Sequence, residues 1–128
     1  MRLLLDTHAL LWWAHEPENL SSTAMNLLED AANEVLVSAV SAMEIATKNR
    51  IGRLEYQTSL ATHFSQRISE FGFTMLSISG AHAQHAGGLK GKHKDPWDRL
   101  LAAQAQLENI PLLSVDKRIA DWNVELVW

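Results

Sequence analysis

Along this chain, short uninterrupted hydrophobic runs alternate with longer segments in which hydrophobic residues recur every three or four positions. Residues 3–5 and 35–37 are such runs, which are typical of strands buried on both faces of a sheet. The longer segments have helical spacing, and glycine, proline or asparagine lies at several of their boundaries. The alternation predicts an α/β domain with a mainly parallel sheet flanked by helices.

The predicted elements follow one another without an internal repeat or a linker. Strands are expected at residues 2–5, 34–38, 73–78, 112–115 and 124–127. Helices are expected at residues 7–15, 24–32, 41–49, 59–71, 79–86 and 96–108, with Gly87 and Gly88 ending the fifth. A chain of 128 residues organised in this way is expected to fold as one domain, residues 1–128.

Two of the predicted helices begin with residues that favour capping. Ser41 is expected to cap the helix at 41–49, with Glu44 completing a Ser-x-x-Glu capping box. Asp95 is expected to cap the helix at 96–108, with Pro96 at its first position and Asp98 at its third. Glu44 and Asp98 therefore have an ordinary structural explanation beside any functional one.

Composition narrows the class of protein. The chain has no cysteine, which excludes disulfides and thiolate zinc sites. Its hydrophobic runs are too short to cross a membrane, and Asp6 interrupts the apolar start too early for a signal peptide. We therefore expect a soluble, cytoplasmic protein. The net charge of -4 counts against binding to nucleic acid, although an acidic metal site would account for part of it.

Several acidic residues lie at or near strand ends and helix starts, beside residues expected in the core: Asp6, Glu44, Asp98 and Asp116. Carboxylates in such places are costly unless a positive charge offsets them, and together they oppose each other's ionisation. A shared divalent cation resolves both problems, and oxygen ligands favour Mg²⁺ or Mn²⁺. The pattern predicts metal-assisted hydrolysis of a phosphodiester. The three aspartates are the preferred ligands, and Glu44 is expected to bind through water or to orient the nucleophile.

Other polar residues near these acids are candidates for supporting roles. Asp95 is expected to be a helix cap, and a role as a further metal ligand stays open. Ser38 and Ser114 lie near strand ends, where a hydroxyl is able to orient water or an acid. Arg99 follows Asp98 directly, so it is expected either to pair with a site acid or substrate phosphate or to form a surface ion pair.

A basic loop precedes the helix at 96–108. Lys90, Lys92, His93 and Lys94 lie in this loop and are candidates, together with Arg99, for contacts to an RNA backbone. A solvated loop without such a role is the alternative.

Four segments together resemble the motifs of PIN-domain ribonucleases, in particular the VapC toxins of type II toxin–antitoxin systems. They lie in order and at matching spacing over nearly the whole chain. The segments are Asp-Thr-His-Ala-Leu-Leu-Trp at 6–12, Ser-x-x-Ser-x-x-Glu-Ile at 38–45, Lys-Asp-Pro-Trp-Asp-Arg-Leu-Leu-Ala-Ala-Gln-Ala at 94–105 and Ser-Val-Asp at 114–116.

The resemblance implies a parallel sheet flanked by helices and an acidic pocket that binds Mg²⁺ or Mn²⁺. It implies that the pocket's acidic quartet corresponds to Asp6, Glu44, Asp98 and Asp116. Asp95 matches the first acid of an Asp-Pro-Phe-Asp-Arg motif, in which Trp97 here replaces phenylalanine. The resemblance also implies an RNA substrate, homodimers and a cognate VapB-like antitoxin whose C-terminal segment covers the pocket.

Three alternatives stay open at the level of the sequence. The chain would also suit a non-toxin PIN nuclease in RNA processing, or an inactive PIN-like module that binds proteins. A receiver-like phosphoacceptor domain is the third, because Lys117 follows Asp116, although the motif at Asp95 has no place in that scheme. The sequence identifies neither the RNA that is cleaved nor whether one or two metal ions bind.

Overall fold

A computed structural model describes residues 1–128 and contains a five-stranded sheet in which every pair of neighbouring strands is parallel. The strand order is β3-β2-β1-β4-β5. The strands are β1 (Arg2–Leu5), β2 (Glu34–Ser38), β3 (Thr74–Leu76), β4 (Leu112–Leu113) and β5 (Leu126–Val127). The predicted α/β class with a mainly parallel sheet is confirmed.

Residues 3–5 of β1 and 35–37 of β2 are uninterrupted hydrophobic runs because both faces of the sheet are covered. Leu3 and Leu5 of β1 pack into one core cluster, and Leu4 between them packs into a second cluster on the opposite face. In β4, Leu113 belongs to the first cluster and Leu112 to the second. These leucines of β1 and β4 are therefore buried whichever face of the sheet they point to.

The helices cover these two faces. They are α1 (Thr7–His15), α2 (Ser22–Glu29), α3 (Ala39–Arg50), α4 (Phe64–Glu70), α5 (Gly80–Gly88) and α6 (Pro96–Glu108). Residues of α1, α2 and α4 contribute to the first cluster, α6 contributes to the second, and α3 contributes to both. None of these helices is long and apolar enough to cross a membrane.

The capping prediction for α3 was wrong. Ser38 at the end of β2 is the N-cap, and its hydroxyl oxygen accepts a hydrogen bond from the Val40 amide at 3.0 Å. The helix therefore begins at Ala39, and Ser41 lies inside it with its hydroxyl 2.8 Å from that of Thr7. Glu44 is consequently past the first turn and is not the acid of a capping box, so helix capping does not explain it.

Other boundaries differ from the prediction at the periphery. The helix expected at 59–71 is divided into a 3₁₀ turn at Ser59–Ala61 and α4. The helix α5 ends at Gly88, so Gly87 and Gly88 form its last two residues. The outer strands are shorter than expected, because a strand at the periphery pairs only over the residues that meet a neighbour.

Candidate metal centre

One pocket brings together the four acids that the sequence singled out. It encloses about 110 Å³, and its walls include Asp6, Glu44, Asp98 and Asp116 together with Asp95. Five carboxylates and two cationic side chains, Lys48 and Arg118, therefore border one small space. The excess of negative charge means that a bound cation would be attracted to this pocket.

The topology explains why residues so far apart in sequence meet here. Asp6 follows β1 and Asp116 lies just beyond β4, and these two strands are neighbours in the sheet. The last turn of α6 leads directly into the start of β4. The first turn of α6, which contains Asp98, therefore lies at the other end of the sheet, where the strands finish. Glu44 is on α3, which begins at the same end of β2. This is the edge at which sites form in open parallel sheets.

Asp6 is the most enclosed of the aspartates, with 8% of its surface exposed. Its Oδ1 accepts a hydrogen bond from the Ala9 amide at 2.8 Å, and its Oδ2 accepts one from the Ser114 hydroxyl at 2.5 Å. Burial raises the pKa of Asp6, these two hydrogen bonds oppose the rise, and the charge of Glu44 adds to it. No lysine or arginine forms an ion pair with Asp6.

Asp98 lies in the first turn of α6 beside a histidine from the preceding loop. His93 Nε2 is 2.7 Å from Asp98 Oδ2. Burial raises the pKa of Asp98, the hydrogen bond with His93 lowers it, and the charges of Asp95 and Asp116 raise it further. The mutual effect of these carboxylates is a physical sign that they share one site.

Asp116 is held by Arg118, whose guanidinium donates from Nε to Oδ1 at 3.0 Å and from Nη2 to Oδ2 at 2.8 Å. The same Nη2 is 4.0 Å from Asp98 Oδ2. The hydrogen bond from Arg118 is the main reason why the pKa of Asp116 is lowered. Arg118 thus occupies the negative edge of the pocket, where a metal ion would compete with it.

Glu44 is almost completely buried, with 6% of its surface exposed. Its Oε2 accepts a hydrogen bond from Lys48 Nζ at 2.5 Å, one helical turn further along α3. Glu44 and Lys48 thus form an i, i+4 pair, and this pair lies within the acidic pocket and not on a solvated face of the helix. Lys48 offsets one carboxylate charge without closing the pocket.

The residues present fit a divalent cation. One ligand atom each from His93, Asp98 and Asp116 lies within 4.8 Å of the others. Asp6 adds an enclosed carboxylate whose only partners are uncharged hydrogen-bond donors. Carboxylate oxygens are the donors that Mg²⁺ and Mn²⁺ prefer, and a histidine nitrogen is more compatible with Mn²⁺ than with Mg²⁺.

The other predicted site residues fall into two groups. Asp95 caps α6, because its Oδ1 accepts from the Trp97 amide at 2.9 Å, and it also lines the pocket. Ser114 links two acids: it donates to Asp6 and accepts from the Asp116 amide at 3.0 Å. Ser38 is fully buried as the cap of α3 and does not line the pocket, so the idea that it orients water or an acid is not retained.

Arg99 does something different from what the sequence suggested. Its guanidinium donates hydrogen bonds to backbone carbonyls at the end of α5 and in the basic loop, those of Ala86, Leu89, Gly91 and His93, at 2.6–3.4 Å. It therefore forms no ion pair with a site acid, and these backbone carbonyls occupy its guanidinium. It holds the loop that delivers His93 to the pocket.

The lysines of the basic loop are exposed, whereas His93 of the same loop contacts Asp98 in the acidic pocket. Lys90, Lys92 and Lys94 are exposed, and none of them lines the acidic pocket. The sequence suggested that His93 contacts RNA. In the structure its Nε2 is within hydrogen-bonding distance of Asp98, and its ring stacks on that of Trp122 with the ring centroids 5.3 Å apart.

Two pocket residues escaped the sequence reasoning. Arg118 belongs to the 3₁₀ turn Lys117–Trp122, and its position two residues after Asp116 was the available signal. Thr7 lines the pocket and shares a hydrogen bond with Ser41, a contact between α1 and α3 that no local pattern reveals.

Comparison with known proteins shows the family to which this chain is similar. The family described as PIN domain matches residues 3–124. Ribonuclease VapC22 of Mycobacterium tuberculosis is 31% identical over 118 residues, which cover 91% of this chain and 88% of VapC22. Ribonuclease VapC16 of the same organism is 33% identical over 75 residues, covering 56% of this chain and 53% of VapC16.

Solved structures agree on the fold. VapBC2 from Rickettsia felis, solved bound to a DNA fragment from their promoter, superposes with a TM-score of 0.73 at 18% identity, covering 99% of this chain and 98% of that one. A toxin-antitoxin complex from Klebsiella pneumoniae gives a TM-score of 0.66 at 19% identity, covering 98% and 96%. At these identities the likeness is one of fold. With the family match over nearly its whole length, the chain belongs to the PIN-domain family.

Proposed function

We propose that this protein is a metal-dependent endoribonuclease and the toxin of a VapBC-like type II toxin–antitoxin system. The observation that carries the proposal is the meeting of Asp6, Glu44, Asp98 and Asp116, from separate elements, in one pocket. The matched relatives VapC22 and VapC16 are both described as ribonucleases, which supports RNA as the substrate.

The roles of the acids follow from their surroundings. Asp6, Asp98 and Asp116 would hold Mg²⁺ or Mn²⁺, and Asp95 is an additional candidate ligand. Such an ion lowers the pKa of a bound water and stabilises negative charge on the phosphate. Ser114 would keep Asp6 oriented through its hydrogen bond. Glu44, enclosed and paired with Lys48, would orient the attacking water or bind through it.

Positive groups around the pocket would position the RNA. Lys90, Lys92 and Lys94 project from the loop that Arg99 fixes, and their exposed charges suit contacts to successive phosphates. Arg118, with 66% of its side chain exposed, would be free to contact the substrate once a metal ion replaces it at Asp116. On this view the net negative charge reflects the acids of the metal site, whereas the surface proposed to contact RNA carries the exposed lysines.

Partners are part of the same proposal. Complexes of toxin with antitoxin, from Rickettsia felis and Klebsiella pneumoniae, share this fold, so we infer a VapB-like antitoxin that covers the pocket. We also infer a homodimer, which light scattering on the pure protein would test. The cytoplasm is the compartment in which such a protein would meet both its RNA and its antitoxin.

The decisive experiment compares the pure protein with its Asp98→Asn variant on single-stranded RNA. Asparagine keeps the shape of the side chain but removes the charge that binds the cation. We expect cleavage with Mg²⁺ or Mn²⁺, none with a chelator, and a loss of at least about 100-fold in the variant. Asp121→Asn, a change at an exposed aspartate, is the matched control and should cleave normally.

Equal cleavage by the wild type and Asp98→Asn would mean that a contaminant acts and that the site assignment is wrong. No cleavage of any RNA by the wild type, with metal bound, would favour the inactive protein-binding module.

A further inference from the structure

A second groove opens beside the acidic pocket and shares two residues with it. His8 and Lys48 line both spaces, so the two adjoin. This side groove has a volume of about 450 Å³, within the range of small-molecule sites. Its other lining residues are Leu11, Trp12, Glu16, Asn19, Arg53, Leu54, Glu55 and Tyr56.

The groove lies between α1 with its following turn and the end of α3 with its following loop. Trp12 and Glu16 belong to the first wall, and Lys48 and Arg53 belong to the second. The Arg53 amide donates to the Lys48 carbonyl at 2.8 Å, which keeps the two cationic residues on one side. Trp12 on the first wall thus faces the cationic residues of the second wall. Such an arrangement suits a nucleotide whose base lies on one side and whose phosphate lies on the other.

Glu16 lines the groove but not the acidic pocket, and two hydrogen bonds fix the position of its carboxylate. The Tyr56 hydroxyl donates to Glu16 Oε1, and Asn19 Nδ2 donates to Glu16 Oε2 at 3.2 Å. His15 stacks on the Tyr56 ring with centroids 4.8 Å apart, which steadies the tyrosine. Each carboxylate oxygen retains a further acceptor site, so Glu16 is able to accept two more hydrogen bonds side by side.

Among the four RNA bases, guanine is the one whose Watson–Crick edge carries two adjacent donors, at N1 and at the 2-amino group. A carboxylate pairs with both at once, whereas adenine, cytosine and uracil each offer one donor on that edge. Unpaired bases in single-stranded RNA are read in this way, by stacking on aromatic rings and by hydrogen bonds to their edges.

We propose that the side groove binds one unpaired guanine of the RNA, next to the phosphate that is cleaved, through stacking at Trp12 and a paired hydrogen bond to Glu16. This inference rests on the proposed ribonuclease function and names the base that the enzyme selects. Lys48, at the junction of the two spaces, and Arg53 would contact the adjoining phosphates.

The position of the side groove beside the acidic pocket favours RNA over a protein segment as its occupant. A nucleotide with its phosphate near Lys48 has its base directed away from the acidic pocket and toward Glu16. The groove also carries two carboxylates, Glu16 and Glu55, beside its two cations, and such mixed charge does not suit the binding of an evenly charged helix.

The first experiment measures binding without cleavage. Three fluorescent five-nucleotide RNAs, identical except for guanine, inosine or adenine at the centre, are titrated with the protein in EDTA at low salt. Inosine lacks only the 2-amino group. We expect the guanine RNA to bind best, the inosine RNA about fivefold more weakly and the adenine RNA at least about tenfold more weakly.

The second experiment tests Glu16 directly. In Glu16→Gln, the side chain keeps its size but offers one acceptor instead of two, so the ratio between guanine and adenine RNA should fall toward one. Tyr56→Phe, which removes a donor that positions Glu16, should reduce the ratio by a smaller factor. Glu18→Gln is the matched control, since Glu18 is exposed and lies outside the groove.

The outcomes separate this inference from the proposed function. Equal binding of the three RNAs, or a guanine preference that Glu16→Gln leaves unchanged, would overturn the base assignment even if RNA is cleaved. Guanine-selective binding that Glu16→Gln abolishes would support it, even if Mg²⁺ or Mn²⁺ brings no cleavage and the nuclease proposal fails. With active enzyme, the same order of preference should appear in kcat/KM.

Discussion

The Ser114 hydroxyl donates a hydrogen bond of 2.5 Å to Asp6 Oδ2, although 108 positions separate the two residues in the chain. They meet because β1 and β4 are paired, with Leu5 opposite Leu113 at the end of each strand. The same hydroxyl oxygen accepts from the Asp116 amide at 3.0 Å. One serine therefore fixes one acid of the pocket and the backbone of another.

Replacing Ser114 by alanine should weaken metal binding. The change removes a hydrogen bond that lowers the pKa of Asp6 and orients its carboxylate. Loss of such a supporting contact typically costs about 10–100-fold in metal affinity, and we expect a decrease of that size. Titration with Mn²⁺, followed by its paramagnetic resonance signal, measures the effect. Ser114→Thr keeps the hydroxyl and should retain most of the affinity. An unchanged affinity in the alanine variant would show that Asp6 needs no support from Ser114.

Asp6→Asn should make the metal-free protein more stable at neutral pH. Burial raises the folded-state pKa of Asp6 above 3.8, so the folded chain binds this proton more tightly than the unfolded chain. The resulting stability is present below pH 3.8 and is lost as the pH rises through the folded-state pKa. We expect the variant to have a higher melting temperature than the wild type at pH 7 in EDTA, with the difference vanishing near pH 3.8.

The control for that measurement is Asp121→Asn, an exposed aspartate whose replacement should not change melting. Adding Mn²⁺ should raise the melting temperature of the wild type more than that of Asp6→Asn, because a ligand stabilises the state that binds it. A variant that melts below the wild type at pH 7 in EDTA would contradict the assigned cost of burying Asp6.

Arg118→Gln should tighten metal binding. Arg118 makes two hydrogen bonds to Asp116 and lies 4.0 Å from Asp98, so an incoming cation must compete with it. Because the pair is exposed, we expect the Mn²⁺ dissociation constant to fall by only about twofold to fivefold. Calorimetric titration measures it, and Lys117→Gln, at the exposed neighbouring residue, is the control. If affinity falls instead, Arg118 does not compete with the ion.

Arg99→Lys should loosen the basic loop without touching the acids. Lysine keeps the charge but its single ammonium does not reach the several carbonyls that the guanidinium binds. We expect a loss of about 1–2 kcal/mol in unfolding free energy and faster amide exchange in residues 89–94. RNA binding should weaken, and any loss of Mn²⁺ affinity should arise through His93, which this loop places against Asp98. Arg50→Lys, at an exposed arginine ending α3, is the control, and equal exchange in both variants would refute the anchoring role.

Local patterns were sufficient for the parts of this protein that depend on neighbouring residues. The hydrophobic runs at 3–5 and 35–37 predicted strands buried on both faces, and the structure buries them so. The start of α6 at Pro96, with Asp95 as its cap, also follows from a few adjacent residues. The same reasoning failed at α3, because Ser38 and Ser41 are both acceptable caps and only the end of β2 decides between them.

The sequence by itself determined the class of fold and the candidate acids, because hydrophobic periodicity and the position of charges are written along the chain. The tertiary structure decided that these acids share one pocket: Asp6 meets Ser114 across 108 positions of the chain, and Arg118 lies near both Asp98 and Asp116. It also decided that Arg99 anchors a loop through hydrogen bonds to its backbone carbonyls. Partners of this kind depend on the directions of side chains from separate elements, and strand order, which no local pattern encodes, sets those directions.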